Sequence, residues 1–219
     1  MPQTLLLVPT EVERTHLAPL LAVCPGDQQR IELCGFGLVA AAARTAALIA
    51  AHAPTRVLLV GIAGRYDDRL AIGAAYRFER VACFGVGVGS DERFVAAGAL
   101  GWPQWPGDPP SPATVIGDVI DCGWPSAAAA ADGGLLLSAC AAAASPGDVA
   151  VRTKLVPAAA AEDMEGFAVA LACRLAGLPL EIVRGISNTA GDRDHAHWQI
   201  PRALTAAADL TRSLLEGPP

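Results

Sequence analysis

Towards its C-terminal end the chain sets Glu162-Asp163-Met164-Glu165-Gly166 at the head of an Ala-rich stretch. Arg184-Gly185-Ile186-Ser187-Asn188 closes the apolar run that follows, and Gly191-Asp192-Arg193-Asp194 comes directly after. Only 17% of the residues are charged, so this concentration of acids is conspicuous. Carboxylates and an amide at adjoining ends of a helix and a strand can hold a ribose and a purine together. Glu13, just past the first apolar run, adds a further carboxylate. Ligands of open α/β sheets bind at the carboxyl ends of the strands, so these groups form one candidate site.

Elements able to position them can be read from the hydrophobic pattern. Short apolar runs predict strands at Thr4–Val8, Arg30–Cys34, Arg56–Val60, Ala75–Phe84, Leu135–Ala139, Ala158–Ala161 and Leu180–Ile186. Helices are expected from Glu11, with Thr10 as cap, and over Leu38–Ala51. Others are expected from Ser145-Pro146, over Glu162–Ala176 and over Pro201–Leu215. The alternation predicts an α/β fold, a three-layer αβα sandwich around a mixed, largely parallel sheet. The pattern degrades between Gly85 and Gly134. There the proline-dense Trp102–Pro110 must be a loop, and Ala127–Ala131 reads as a short helix. With no repeat and no linker, residues 1–219 read as one domain.

A hydrophobic content of 53% predicts a large core, yet no uncharged apolar run reaches the ~18 residues of a membrane span. A net charge of −6 with no Lys/Arg cluster argues against a nucleic-acid surface. Cys24, Cys34, Cys83, Cys122, Cys140 and Cys173 are widely spaced, which suits small buried hydrophobes in a reducing compartment. Met1-Pro2-Gln3-Thr4 leads into the first strand without a signal-peptide pattern, so the cytoplasm is the expected location.

Several motifs have competing explanations. Gly35-Phe36-Gly37-Leu38-Val39-Ala40 matches a dinucleotide pattern. The strand after it, however, carries no acid for a ribose, and a tight helix-entry turn accounts for the glycines. Gly61-Ile62-Ala63-Gly64 reads as a turn after a strand, with small residues that let backbone amides approach a ligand. Asp192, Asp194, His195 and His197 could suggest a metal, but nothing elsewhere completes a ligand set, and a salt-bridged loop is expected instead. In a helix's first turn, Glu162, Asp163 and Glu165 would also be favoured by the macrodipole alone.

Taken together, Thr10-Glu11-Val12-Glu13, the Gly35–Ala41 and Gly61–Gly64 segments, Ala161–Gly166 and Arg184–Asn188 resemble the purine nucleoside phosphorylase/nucleosidase superfamily. The resemblance is to its methylthioadenosine/adenosylhomocysteine nucleosidase branch. Gly191-Asp192-Arg193-Asp194, Trp198 and Pro201 bring it nearest to the futalosine hydrolases within that branch. The resemblance covers nearly the whole chain, apart from Gly85–Gly134. It implies a nucleoside phosphorylase-like fold, hydrolysis of the N-glycosidic bond of futalosine with release of hypoxanthine in menaquinone biosynthesis, no cofactor or metal, and a homo-oligomer. Under it Glu13 is the base that activates water, Glu165 holds the ribose hydroxyls, Met164 packs under the sugar and Asn188 faces the purine. Gly64 and Ser187 join them as substrate-binding residues.

The adenosine-cleaving relatives carry Asp at the place of Asn188. An amide offers a donor to a 6-oxo group and an acceptor to a protonated N7, which favours a hypoxanthine-type leaving group. The N7 proton then comes from water or a neighbour, with Asp192, behind the residues that touch the substrate, as a candidate. Arg65 is a candidate phosphate ligand, and the Trp102–Pro110 loop is either a cover for the substrate's tail or a surface or subunit-contact loop. The alternatives are a methylthioadenosine/adenosylhomocysteine nucleosidase, a purine nucleoside phosphorylase, or a nucleoside-binding protein without catalysis. The last has no need of Glu13.

Overall fold

The computed structural model describes residues 3–22, 28–108, 115–122 and 132–216. The helix expected at Ala127–Ala131, Cys24 and part of the proline-dense loop lie outside them. Strand β1 (Gln3–Val8) lies between the parallel strands β2 (Gln28–Leu33) and β3 (Arg56–Arg65). Its side chains alternate between two cores. Leu5 and Leu7 pack with Leu48 of α2 (Leu38–His52) and Phe167 of α4 (Gly166–Leu175). Leu6 and Val8 pack on the other face with Leu17 of α1 (Glu11–Leu21) and Leu204 of α5 (Ile200–Glu216). A sheet covered on both faces requires an uninterrupted apolar strand, which is the pattern that located β1. The result is the expected α/β architecture, with helices on either side of a mixed sheet. The described residues also form α3 (Pro146–Leu155), the edge strand β8 (Val119–Asp121) and a small separate pair, β6 (Gly87–Val88) and β7 (Val95–Ala96).

The strand expected over Ala75–Phe84 is two strands, β4 (Ala75–Phe78) and β5 (Arg80–Phe84), because its halves bond to different partners. β4 runs antiparallel to β11 (Leu180–Thr189), and β5 runs parallel to β9 (Leu135–Ala139). The path from β3 through β11 to β4, then through β5, β9 and β10 (Ala159–Asp163), returns antiparallel to the end of β3, so the sheet curls on itself.

Three further boundaries differ from expectation, and all three concern the site. β3 does not stop at Val60. Gly61–Gly64 remain extended because β11 pairs with them along one edge. β11 likewise continues past Ile186, with a register shift between Ile186 and Asn188. The helix expected from Glu162 begins only at Gly166. Glu162 and Asp163 are the buried end of β10, paired with β9, and Glu165 takes the N-cap position of α4. Tertiary pairing outweighed the local helix-start signal.

The cysteines fit the sequence reading in part: Cys34, Cys83, Cys122 and Cys173 are buried and free, while Cys140 is exposed. No helix among the described residues is long and apolar enough to cross a membrane.

α5 lies close on β11 because Gly185 has no side chain. A Cβ there would stand 2.1 Å from the carbonyl oxygen of Ala203. Gly185→Ala is therefore expected to lower stability by about 1–3 kcal/mol, read as a lower urea midpoint at unchanged slope.

Candidate active site

β1 ends at Val8 because Pro9 has no N–H to continue the ladder and Thr10 starts a helix. Beyond Leu59, then, β3 loses β1 as a neighbour, and it does not meet β10 until Gly64. A cavity of about 330 Å³ opens at this split. All six residues singled out from the sequence line it: Glu13, Gly64, Met164, Glu165, Ser187 and Asn188.

Glu13 is the third residue of α1 and closes a capping box with Thr10. One carboxylate oxygen accepts from the Thr10 amide at 3.0 Å and from its hydroxyl at 2.6 Å. The other accepts from the amide of Ile62 at 3.0 Å, on the edge of β3 that β1 leaves unpaired. Gly61–Gly64 thus supply a strand edge where a turn was expected, and one amide is spent on Glu13.

Glu165 accepts from the amide of Gly37 at 3.0 Å. The Gly35-Phe36-Gly37 turn, both glycines of which have positive φ, therefore delivers a backbone donor to a carboxylate. Burial pushes the Glu165 carboxyl up to about 7. Arg184 opposes that rise, while Asp163 and Glu13 add to it.

Arg184 holds these groups in place. It carried no role in the sequence reading, although a charged residue inside an otherwise apolar buried strand signals a paired ion. Its guanidinium is fully buried, with Nη2 at 2.6 Å and Nε at 3.1 Å from Asp163 and Nη2 at 3.6 Å from Glu165. Burial works against its charge, but Asp163, Glu165 and Glu13 more than offset this and raise its pKa. Asp163 also accepts from Ser138 Oγ and from the amide of Gly166, which anchors the start of α4. A Cβ on Gly61 would lie 2.3 Å from Arg184 Nη1 and 2.6 Å from Glu13 Oε1, so only glycine admits both groups there.

The register shift in β11 leaves the consecutive residues Ser187 and Asn188 both lining the cavity. Asn188 Nδ2 donates to the carbonyl of Thr189 at 2.9 Å, and its Oδ1 accepts from Ser187 Oγ at 2.7 Å. These bonds fix which way the amide points. They leave one N–H and one lone pair free. Opposite stands the segment Ala141–Ala143. Arg152 donates to the carbonyl of Ala141, and Glu162 accepts from the amide of Ala143 at 2.8 Å. Glu162 is paired in turn with Arg152 and Tyr66, a use of this acid that a helix-dipole argument could not foresee.

Three groups considered from the sequence stand outside the cavity wall. Asp192 does not line the cavity. A loop amide and His197 hold its carboxyl below the usual range, so it carries no proton to give. Arg65 also lies outside the cavity wall; it donates to the carbonyl of Leu70 and pairs with Asp68. In the proline-dense loop, none of residues 102–108 lines the cavity, and Trp105 instead packs against the core.

The family model for the "Phosphorylase superfamily" matches residues 15–216, and the chain belongs to that superfamily. Futalosine hydrolase of Streptomyces coelicolor is 47% identical over 58 residues, 26% of this chain and 25% of that protein. The futalosine hydrolase of Thermus thermophilus is 47% identical over 57 residues, with the same shares of each chain. The matched segment thus spans about a quarter of the length of these relatives.

Among solved structures, 5'-methylthioadenosine/S-adenosylhomocysteine nucleosidase from Helicobacter pylori, with butyl-thio-DADMe-Immucillin-A, superposes with a TM-score of 0.77. It is 18% identical over 99% of this chain and 98% of that one. Futalosine hydrolase of the same organism also gives 0.77, at 17% identity over 98% and 97% of the two chains. At these identities the likeness is one of fold.

The raised pKa of Glu165 has a definite consequence for stability. Its contribution is full below the ordinary carboxylate pKa and is lost as pH rises through about 7. Between about pH 5 and about pH 8, the wild type should therefore lose about 2 kcal/mol relative to Glu165→Gln. Urea midpoints of both proteins across this range measure it, and parallel pH profiles would contradict it.

Proposed function

We propose that this chain, acting as a single domain, hydrolyses the N-glycosidic bond of futalosine and releases hypoxanthine, a step of menaquinone biosynthesis. The observation that carries the proposal is Asn188, an amide locked in orientation on the wall that also presents Glu13 and Glu165. The curated relatives named futalosine hydrolase support the same choice.

Breaking the bond between C1' and the purine N9 leaves the electron pair on the base and positive charge on the sugar. Glu165 accepts from the vicinal ribose hydroxyls, a hold that strengthens as the ring flattens. Met164 packs beneath the sugar. Water attacks C1' and gives its proton to Glu13, whose carboxylate also stabilises the developing cation. Arg184 Nη1, which has no hydrogen-bond partner among the described residues, is buried beside Glu13 Oε1 at Gly61 and sets a positive charge next to that base. The departing purine takes its N7 proton from solvent. The free lone pair of Asn188 then accepts from N7–H, and its free N–H donates to the 6-oxo group.

Phosphorolysis is disfavoured because Arg65, the cation expected to hold phosphate, is engaged away from the cavity. We also propose a cytoplasmic homo-oligomer. Val12 and Phe36, which line the cavity, and nearby Val39 are 72%, 65% and 86% exposed, an apolar margin that a second copy would cover.

Purified protein incubated with futalosine, inosine and methylthioadenosine, with and without phosphate, should release hypoxanthine from futalosine without phosphate, as followed by chromatography. No release would refute the assignment, and strict phosphate dependence would make the protein a phosphorylase. Glu13→Gln should lower kcat by about 10²–10⁴-fold while largely sparing ligand affinity. Asn188→Asp should shift the kcat/KM ratio towards 6-aminopurine nucleosides, and an unchanged ratio would mean that the base is recognised elsewhere.

A further inference from the structure

The loop that follows Asn188 stays at the cavity. Arg193 and Trp198 both line it, on the wall that Asn188, Ala190 and Gly191 begin. The loop is internally braced. Asp192 accepts from the amide of Asp194 at 2.9 Å and pairs with His197 Nδ1 at 2.7 Å, and Asp194 accepts from the amide of Ala196 at 3.0 Å. Trp198 Nε1 donates to the carbonyl of Asp192 at 3.1 Å. These bonds occupy both acids that flank Arg193. Its guanidinium lies over the Trp198 ring, 5.1 Å from the centroid, and forms no ion pair among the described residues. An arginine that lines the cavity stacked on an indole, with no carboxylate paired to it among the described residues, is set to receive an acceptor from a ligand.

We infer that Arg193 is a specificity-determining residue whose guanidinium donates to the exocyclic 6-oxo group of the purine, beside the N–H of Asn188. The inference rests on the nucleosidase reading and identifies what makes the site selective. A guanidinium has donors only, so it accepts no hydrogen from a 6-amino group, and an adenine there would set donor against donor. The interaction also grows during the reaction. As C1'–N9 breaks, negative charge spreads from the purine ring onto O6, and a fixed cation stabilises it more in the transition state than in the bound substrate.

Arg193→Met and Arg193→Lys test this with inosine and adenosine, which share one sugar and lack a tail, and with futalosine. Calorimetric binding of free hypoxanthine and free adenine forms a separate arm. Arg193→Met should lower the inosine-to-adenosine ratio of kcat/KM by about 10–100-fold at an unchanged thermal midpoint, and weaken hypoxanthine but not adenine. Arg193→Lys should restore part of the ratio. Equal losses on both nucleosides, or none, would overturn the inference. A loss confined to futalosine would do the same by moving Arg193 to the substrate's tail. If the wild type cleaves no nucleoside, the hydrolase reading fails, yet the binding arm still decides the role of Arg193.

Discussion

The buried guanidinium of Arg184 is the constraint on which the rest of the site depends. A fully desolvated cation is tolerable only when opposite charge surrounds it, and here Asp163, Glu165 and Glu13 do so. Those acids come from the end of β10, the start of α4 and the first turn of α1, so satisfying one charge fixes three elements relative to β11. The arrangement is mutual. Glu165 and Glu13 lie beside a cavity and would repel each other without the cation. Even with it, burial leaves the Glu165 carboxyl near neutrality in its titration.

The sheet makes room for this cluster by splitting. β1 and β10 both pair with β3, but at different heights, and the intervening edge is left for side chains and ligand. Backbone donors that a continuous sheet would spend on its ladder are spent on carboxylates: the amide of Ile62 on Glu13, and that of Gly37 on Glu165. Fold and site thus share hydrogen bonds. Glu13 illustrates the economy best, since one carboxylate oxygen caps a helix while the other ties that helix to the sheet.

Much of this was legible in the chain. The apolar runs located the buried strands, Thr10 and Ser145 marked helix starts, and the acids and amide gathered near strand ends identified the cavity wall. The misreadings have a common cause. Glu162–Glu165 look like a helix's first turn, and Gly61–Gly64 look like a turn, when only neighbours in sequence are considered. In each case a strand from elsewhere supplies hydrogen-bond partners that keep the backbone extended. Arg65 was placed too near the site for a similar reason, because a side chain's direction depends on partners such as Asp68 that sequence order does not rank.

By itself the sequence determined the α/β class, the set of groups available for chemistry and the presence of the amide Asn188 among them. These depend on residue type and local periodicity, which are written along the chain. Tertiary structure alone decided that Arg184 unites the carboxylates, that a glycine pair donates to Glu165, and that Ser187 and Thr189 orient Asn188. It also set Arg193 at the cavity. Those outcomes depend on which backbone groups remain unpaired once the strands are assembled, and that is a property of the packed sheet rather than of any segment within it.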